Sequence, residues 1–260
     1  MRVVSLYRYP VKGLSPECQP SLALRRGEYV PGDRLFAVEN GPSGFDPAAP
    51  QHQPKIKYLM LMRNERLAQQ RSRFDDASTT LRIDHGHDAV AADVTSREGQ
   101  RAVAAWFRGT MADELRGEPR LLTAPAGYRF TDSRRAYVSI VGLASVAKVA
   151  AMAGRAVDPL RFRANIYVEG LAPFAELDLV GTTLRGPSGV RLRVTKRTVR
   201  CAAVNVDPTT GARDMEIPAL LLRELGHMDC GVYAEVTGDG AVEPGNDLVR
   251  EPPDQGALAL

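Results

Sequence analysis

Hydrophobic and polar positions alternate along several short runs of the chain, and in three longer runs they take up helical spacing. In the first half, VVSLYRY (3–9), RLFAVE (34–39), IKYLMLM (56–62), TLRID (80–84) and AVAADV (89–94) are rich in β-formers and predict strands. Gly/Pro/Asp clusters separate them, at 31–33 (PGD) and across the irregular stretch 41–54 (GPSGFDPAAPQHQP). A connection of that length inside a compact domain is a candidate for function. Residues 96–109 predict a helix, with Ser96 as N-cap and Ala102, Val103, Trp106 and Phe107 on its apolar face.

The second half predicts a helix over 142–154 that ends at Gly154, strands over 164–170 and 189–198, and a helix over 217–226. Pro218 lies in the first turn of that last helix and Gly226 just past its end. Residues 230–251 read as a hairpin turning at Asp239-Gly240. The stretch 117–133 is the candidate boundary, dividing the chain into 1–120 and 121–260, and the tail from residue 252 reads as loosely held. There is no repeat and no low-complexity tract. The pattern is that of a β-rich α+β protein and lacks the strand–helix alternation of a doubly wound sheet.

Composition adds limits. A chain of 260 residues, 44% hydrophobic and 25% charged, is ordinary for a globular protein with a sizeable core. It has no run near the roughly 20 apolar residues that span a bilayer, and its N-terminus has no apolar signal-peptide core. Membrane insertion and secretion are therefore not expected. The three cysteines (Cys18, Cys201, Cys230) fit no CxxC or zinc spacing, and a reducing cytoplasm would leave them free. A net charge of +3 is too small to argue for nucleic acid, but its distribution is uneven. Residues 127–200 carry 13 Lys and Arg against 5 Asp and Glu, whereas 201–260 carry 3 against 11. Cys201 sits at that seam. The count fits an anionic ligand drawn to the basic stretch, and it fits two solvated faces of opposite sign equally well.

Cys201 is the residue on which the chemistry turns. Strict alternation along 190–201 would put Arg193, Arg197, Val199 and Cys201 on one side of a strand. Cations beside it would favour the thiolate, the form that binds metals and attacks electrophiles. Free cysteine is also among the most buried residue types, so spacing alone favours an inert core thiol over a reactive one. Cys230 reads as core, and Asp207-Pro-Thr-Thr-Gly211 as a structural turn. DHGHD (84–88) offers two histidines but sits between two strands around Gly86, which reads as a solvated hairpin turn. His52, in the long loop, is placed where it could overlook a site. No Walker motif, no Rossmann fingerprint after a strand and no nucleophile elbow is present.

The segment TVRCAAVNVDPTTGARDMEIPALLLRE, followed by GVYAEVTGDGAVEPGNDLV, resembles the signature of the MOSC domain (molybdenum cofactor sulfurase C-terminal). RFRANIYVEG (161–170) is similar to that family's Arg-Phe-Arg-x-Asn-Ile stretch. SLYRYPVKGL (5–14) and GDRLFAVEN (32–40) resemble the N-terminal β-barrel domain that accompanies MOSC in the amidoxime-reducing subgroup. The resemblance covers nearly the whole chain with its motifs in order. It implies an N-terminal β-barrel-like domain over 1–120 and, over 121–260, a MOSC domain built on a β-barrel with flanking helices. It also implies a molybdenum cofactor (Mo-molybdopterin) ligated by Cys201 and gripped by Lys12, Arg34, Arg163 and Asn165, with Arg200 and the Thr131-Asp132-Ser133 segment as weaker contacts. The implied activity is that of a molybdenum-dependent oxidoreductase. It would reduce N-hydroxylated or N-oxygenated small molecules by oxygen-atom transfer to molybdenum. Some members append a ferredoxin domain; this chain has no such cysteine cluster, so a separate reductase or ferredoxin would supply electrons. Two other functions share the sequence: a persulfide carrier acting through Cys201, and a non-catalytic cofactor carrier.

Overall fold

The computed structural model describes residues 1–252, so the expected loose tail lies, from residue 253 on, outside the described residues. Strands of the first half are β1 (Arg2–Arg8), β2 (Glu17–Gln19), β3 (Leu22–Leu24), β4 (Phe36–Asn40), β5 (Arg71–Asp75), β6 (Thr80–His85), β7 (Asp88–Asp93) and β8 (Pro119–Thr123). Those of the second half are β9 (Val138–Gly142), β10 (Ile166–Glu169), β11 (Thr183–Arg185), β12 (Arg191–Val199), β13 (Asp229–Gly238), β14 (Gly240–Val242) and β15 (Val249–Arg250). The helices are α1 (Arg97–Thr110), α2 (Leu143–Ala153) and α3 (Ile217–Leu225). The fold is the mixed, β-rich one that the sequence pattern predicts.

Eight strands make the main sheet, in the order β15-β11-β12-β13-β9-β10-β1-β2. The start of β1 also bonds to the segment that enters β15. Arg2 bridges to Asp247, the Val3 amide donates to the Asn246 carbonyl (2.9 Å), and the Leu248 amide donates to Met1 (2.9 Å). These bonds bring the two ends of the strand order together, and the sheet rolls into a barrel-like ring. Val3, Leu6, Ile140, Ile166, Leu192 and Val232 fill its interior. β9 runs parallel to β10, with α2 as the crossover between them. Every residue of β9 is buried, because α2 and α3 cover its outer face through Val146, Val149, Ile217 and Leu221.

Apart from the β3-β14 pair, the remaining strands form a meander, β5-β6-β7, and a pair, β4-β8. α1 closes over them, burying Val103 and Phe107 with Phe36, Phe74 and Leu81. Its start is as read from the sequence: the Ser96 hydroxyl accepts from the Gly99 amide (2.9 Å). α2 ends at Gly154 (φ 66°) and α3 at Gly226 (φ 75°), both left-handed.

Two expectations are corrected. Residues 56–62 are not a strand: 55–57 form a short 3-10 turn, after which Tyr58 makes a single bridge to Glu39. Leu59, Met60 and Leu61 are buried there by tertiary packing, so a continuous apolar run mimics a strand. Residues 230–251 are not a simple hairpin. After Asp239, β14 pairs with β3 (Gly240 opposite Leu24) instead of folding back on β13. Strand pairing also joins segments from before and after residue 120, because β1 and β2 lie in the main sheet and β3 pairs with β14. The strands outside both that sheet and the β3-β14 pair, β4 to β8, come from the interior of the first half.

Candidate active site

A cleft of about 310 Å³ opens where the end of β1, the entry to β4, the 130–135 segment, the 159–163 turn and the end of β12 meet. That volume is at the low end of small-molecule sites, about 300–1,000 Å³. Backbone pairing sets two of its cations side by side. The Arg34 amide donates to the Tyr9 carbonyl (2.7 Å), Phe36 to Pro10 (2.9 Å) and Lys12 to Phe36 (2.8 Å). Arg34 (φ 48°) and Arg163 (φ 50°) both occupy the left-handed region, which costs a side-chain-bearing residue energy. Both strained arginines line the cleft.

Both guanidiniums lie over the Tyr9 ring, at 4.4 Å for Arg34 and 4.3 Å for Arg163. Arg34 is neutralised by both oxygens of Asp33, each at 2.6 Å. Burial alone would lower its pKa, but the Asp33 charge overrides this and raises it. Arg163 donates to the Leu14 carbonyl (2.7 Å) and makes no ion pair among the described residues. Burial, with the Arg34 charge added, pushes it down to about 10. Lys12 is buried and donates to the Phe130 carbonyl (3.0 Å) and to the Asp132 carboxylate. Desolvation lowers its pKa against the pull of Asp132. Asp132 is held at about 2: burial would raise it, but the Lys12 ammonium wins, helped by Lys55 at 3.6 Å.

Cys201 follows β12 directly and leads into a 3-10 turn over Ala202–Asn205. Its thiol is free, half-buried, and lines the cleft. The cations that strict alternation would set beside it are not there. β12 carries register shifts between Val194 and Lys196 and again between Arg197 and Val199, so strict alternation fails. Arg193 and Arg197 are exposed and do not line the cleft; Arg197 faces Asp178 (3.6 Å). Thr198 and Arg200 turn inward instead, both buried. Arg200 donates through Nε to the Cys230 carbonyl (2.6 Å) and through Nη1 to Phe162 (2.9 Å), while its buried Nη2 has no partner. The buried Thr198 hydroxyl also has none. With Arg161 Nε, that makes three buried polar atoms without a partner among the residues lining the cleft. Cys230 is sealed in the core, as expected, and burial pushes its thiol up to about 12.

The structure brings all the sequence candidates to this cleft: Lys12, Arg34, Ser133, Arg163, Asn165, Arg200 and Cys201 line it. Their commitments differ. The Asn165 carboxamide accepts from the Ser139 amide (3.1 Å) and hydroxyl (2.8 Å) and donates to the Tyr7 carbonyl (3.1 Å), so it ties β1, β9 and β10 together. The Ser133 hydroxyl accepts from the Arg135 amide (3.1 Å). The Asp207 turn is structural: its carboxylate accepts from the Thr209 and Thr210 amides (2.9 and 2.8 Å), and Gly211 (φ 73°) closes it. His85-Gly86-His87 is the hairpin tip between β6 and β7. His52 does not line the cleft. Sequence reasoning missed Tyr9, Asp33, Lys55, Thr198 and Tyr233. Asp33 was visible as the carboxylate next to Arg34; the others depend on pairing that no local pattern reveals.

In all, seven cationic side chains and two carboxylates line the cleft, an excess suited to an anionic ligand. Against known families, residues 127–249 match the model described as the MOSC domain. No curated protein sequence matches the chain. Among solved structures the chain is similar to the YuaD protein of Bacillus subtilis, with 15% identity over 94% of this chain and 92% of that one and a TM-score of 0.44. It is also similar to YiiM of Geobacillus stearothermophilus, with 19% identity over 47% of this chain and 57% of that one and a TM-score of 0.37.

Proposed function

From the match of residues 127–249 to the MOSC-domain model we propose that this chain is a molybdenum-cofactor-dependent oxidoreductase acting on N-oxygenated small molecules. MOSC domains are in general linked to molybdenum-cofactor binding. One observation carries the reading: a free, half-buried thiol opens on a cleft with a large excess of cations.

These residues fit the group. A thiolate is the soft ligand that molybdenum favours, so Cys201 would be its protein ligand. Among the described residues, no cluster of three or more His, Cys, Asp or Glu side chains is placed to hold an ion. A metal at Cys201 would therefore have to arrive with ligands of its own, as a dithiolene complex does. Lys12, Arg34 and Arg163 would hold the phosphate of the pterin, with Arg200 in the wall of the cleft. When bound, the cofactor supplies oxygen-atom acceptance and the accompanying change of redox state. The chain's own residues anchor and orient it, and Phe162, Val199, Ala203 and Met60 wall the cleft near the thiol. In this reading the electron donor is a separate reductase or ferredoxin, and the setting is the cytoplasm. Among the described residues, no helix is long and apolar enough to cross a membrane.

The test is an assay of hydroxylamines and amidoximes with a chemical reductant, on protein made in a host that supplies the cofactor. Wild type should reduce them and Cys201→Ala should not. Bound cofactor without turnover under any donor would make the protein a carrier. Sulfane sulfur on Cys201 in metal-free protein would make it a sulfur-transfer protein.

A further inference from the structure

We propose that Asp132 is an internal counter-ion that occupies Lys12 in the ligand-free chain and must leave it when the phosphate of a monoester ligand enters the cleft. This rests on the reading above that an anionic ligand binds there.

The geometry has three parts. Lys12 is buried, with its ammonium on the Phe130 carbonyl and the Asp132 carboxylate. A buried ammonium without a counter-charge is strongly unfavourable, so the empty cleft needs such a partner. Asp132 is unlike Lys12 in being half exposed, on the irregular segment 131–135, which makes no strand or helix. Its other oxygen faces Lys55 at 3.6 Å, and the Lys55 side chain is itself about one-third exposed at the rim. The carboxylate thus has a second cation to retain after it gives up the first. No comparable release exists for Arg34, whose partner Asp33 is buried, held by two 2.6 Å contacts and also bonded to the Tyr9 amide (2.8 Å).

The incoming group must offer more than the carboxylate it replaces. A phosphate monoester carries up to two negative charges and three acceptor oxygens. It can satisfy Lys12 and reach Arg163, the neighbouring cation that has no ion pair among the described residues. The displaced carboxylate then remains on Lys55 at the mouth. In this arrangement Asp132 stabilises the empty protein and opposes the ligand. A residue that merely positioned Lys12 would favour both.

That opposition of signs is the test. Calorimetric titration of the cofactor-free chain with phenyl phosphate, together with thermal melting, compares wild type with Asp132→Asn, Asp132→Ser and Lys12→Met. Asp132→Asn and Asp132→Ser should melt lower without ligand, yet bind phenyl phosphate more tightly, on the order of tenfold. Lys12→Met should lose most of the binding. If both Asp132 variants bind more weakly than wild type, or equally well, the counter-ion role is overturned while the anion site stands. Undiminished binding by Lys12→Met places the anion elsewhere and also overturns it. If none of the four proteins binds phenyl phosphate, the anionic-ligand reading itself fails, and this inference with it.

Discussion

Cys201 and Cys230 lie one on each side of a wall: one thiol lines the cleft, and the other is fully buried behind Arg200. Alkylation of the native protein at neutral pH should therefore modify the exposed Cys18 and, more slowly, Cys201. Cys230 should react only after unfolding, and its labelling at the rate of Cys201 would contradict the buried placement. The same burial has a pH signature. The Cys230 pKa is raised from 9.0 to about 12, so the folded state holds that proton more firmly than the unfolded chain. The resulting stability is fully present below about pH 9 and is lost as pH rises towards 12. Cys230→Ala should flatten alkaline unfolding in that window. At this scale the sequence was informative where neighbours along the chain are also neighbours in space, as with Arg200 and Cys201. It was silent on Tyr9, whose role as the ring beneath two guanidiniums exists only because β1, Arg34 and Arg163 converge.

The helices and most strands of the second half follow from local signals. Ser96, Gly154, Pro218 and Gly226 each stand at the helix position that their backbone chemistry favours. β12 is where such reasoning fails, because bulges interrupt the period of two and nothing in RLRVTKRTV marks them. The consequence is functional. Thr198 and Arg200 reach the cleft, whereas Arg193 and Arg197 point to solvent. Asn165 shows a different limit: its place at the site was legible, its work was not. Replacing it with Ala leaves the Ser139 amide and the Tyr7 carbonyl without their partner at the seam of β1, β9 and β10. This should cost about 1–3 kcal/mol, the usual penalty for an orphaned buried polar group, read as a lower urea midpoint. Cofactor loss with unchanged stability would instead make Asn165 a direct ligand contact.

Across the whole molecule, the two ends of the described chain belong to one ring. β1 pairs with β10 and β2 and also bonds to residues 245–248, so the first strand closes the sheet. Period-two patterning predicted β1 but not its partners, since pairing over more than 150 residues leaves no trace in a local window. Removing residues 1–8 should abolish the cooperative unfolding transition, followed by circular dichroism. An unchanged melt would show that the ring does not depend on this strand. The same closure delivers Lys12 from one end of the chain to Cys201 near the other, and the account depends on that meeting. Its most direct test is the molybdenum content of protein purified from a cofactor-competent host, measured for wild type and Cys201→Ala. Wild type should retain the metal at close to one atom per chain, and the variant should lose most of it. Equal molybdenum in both would contradict the assignment of Cys201 as the ligand.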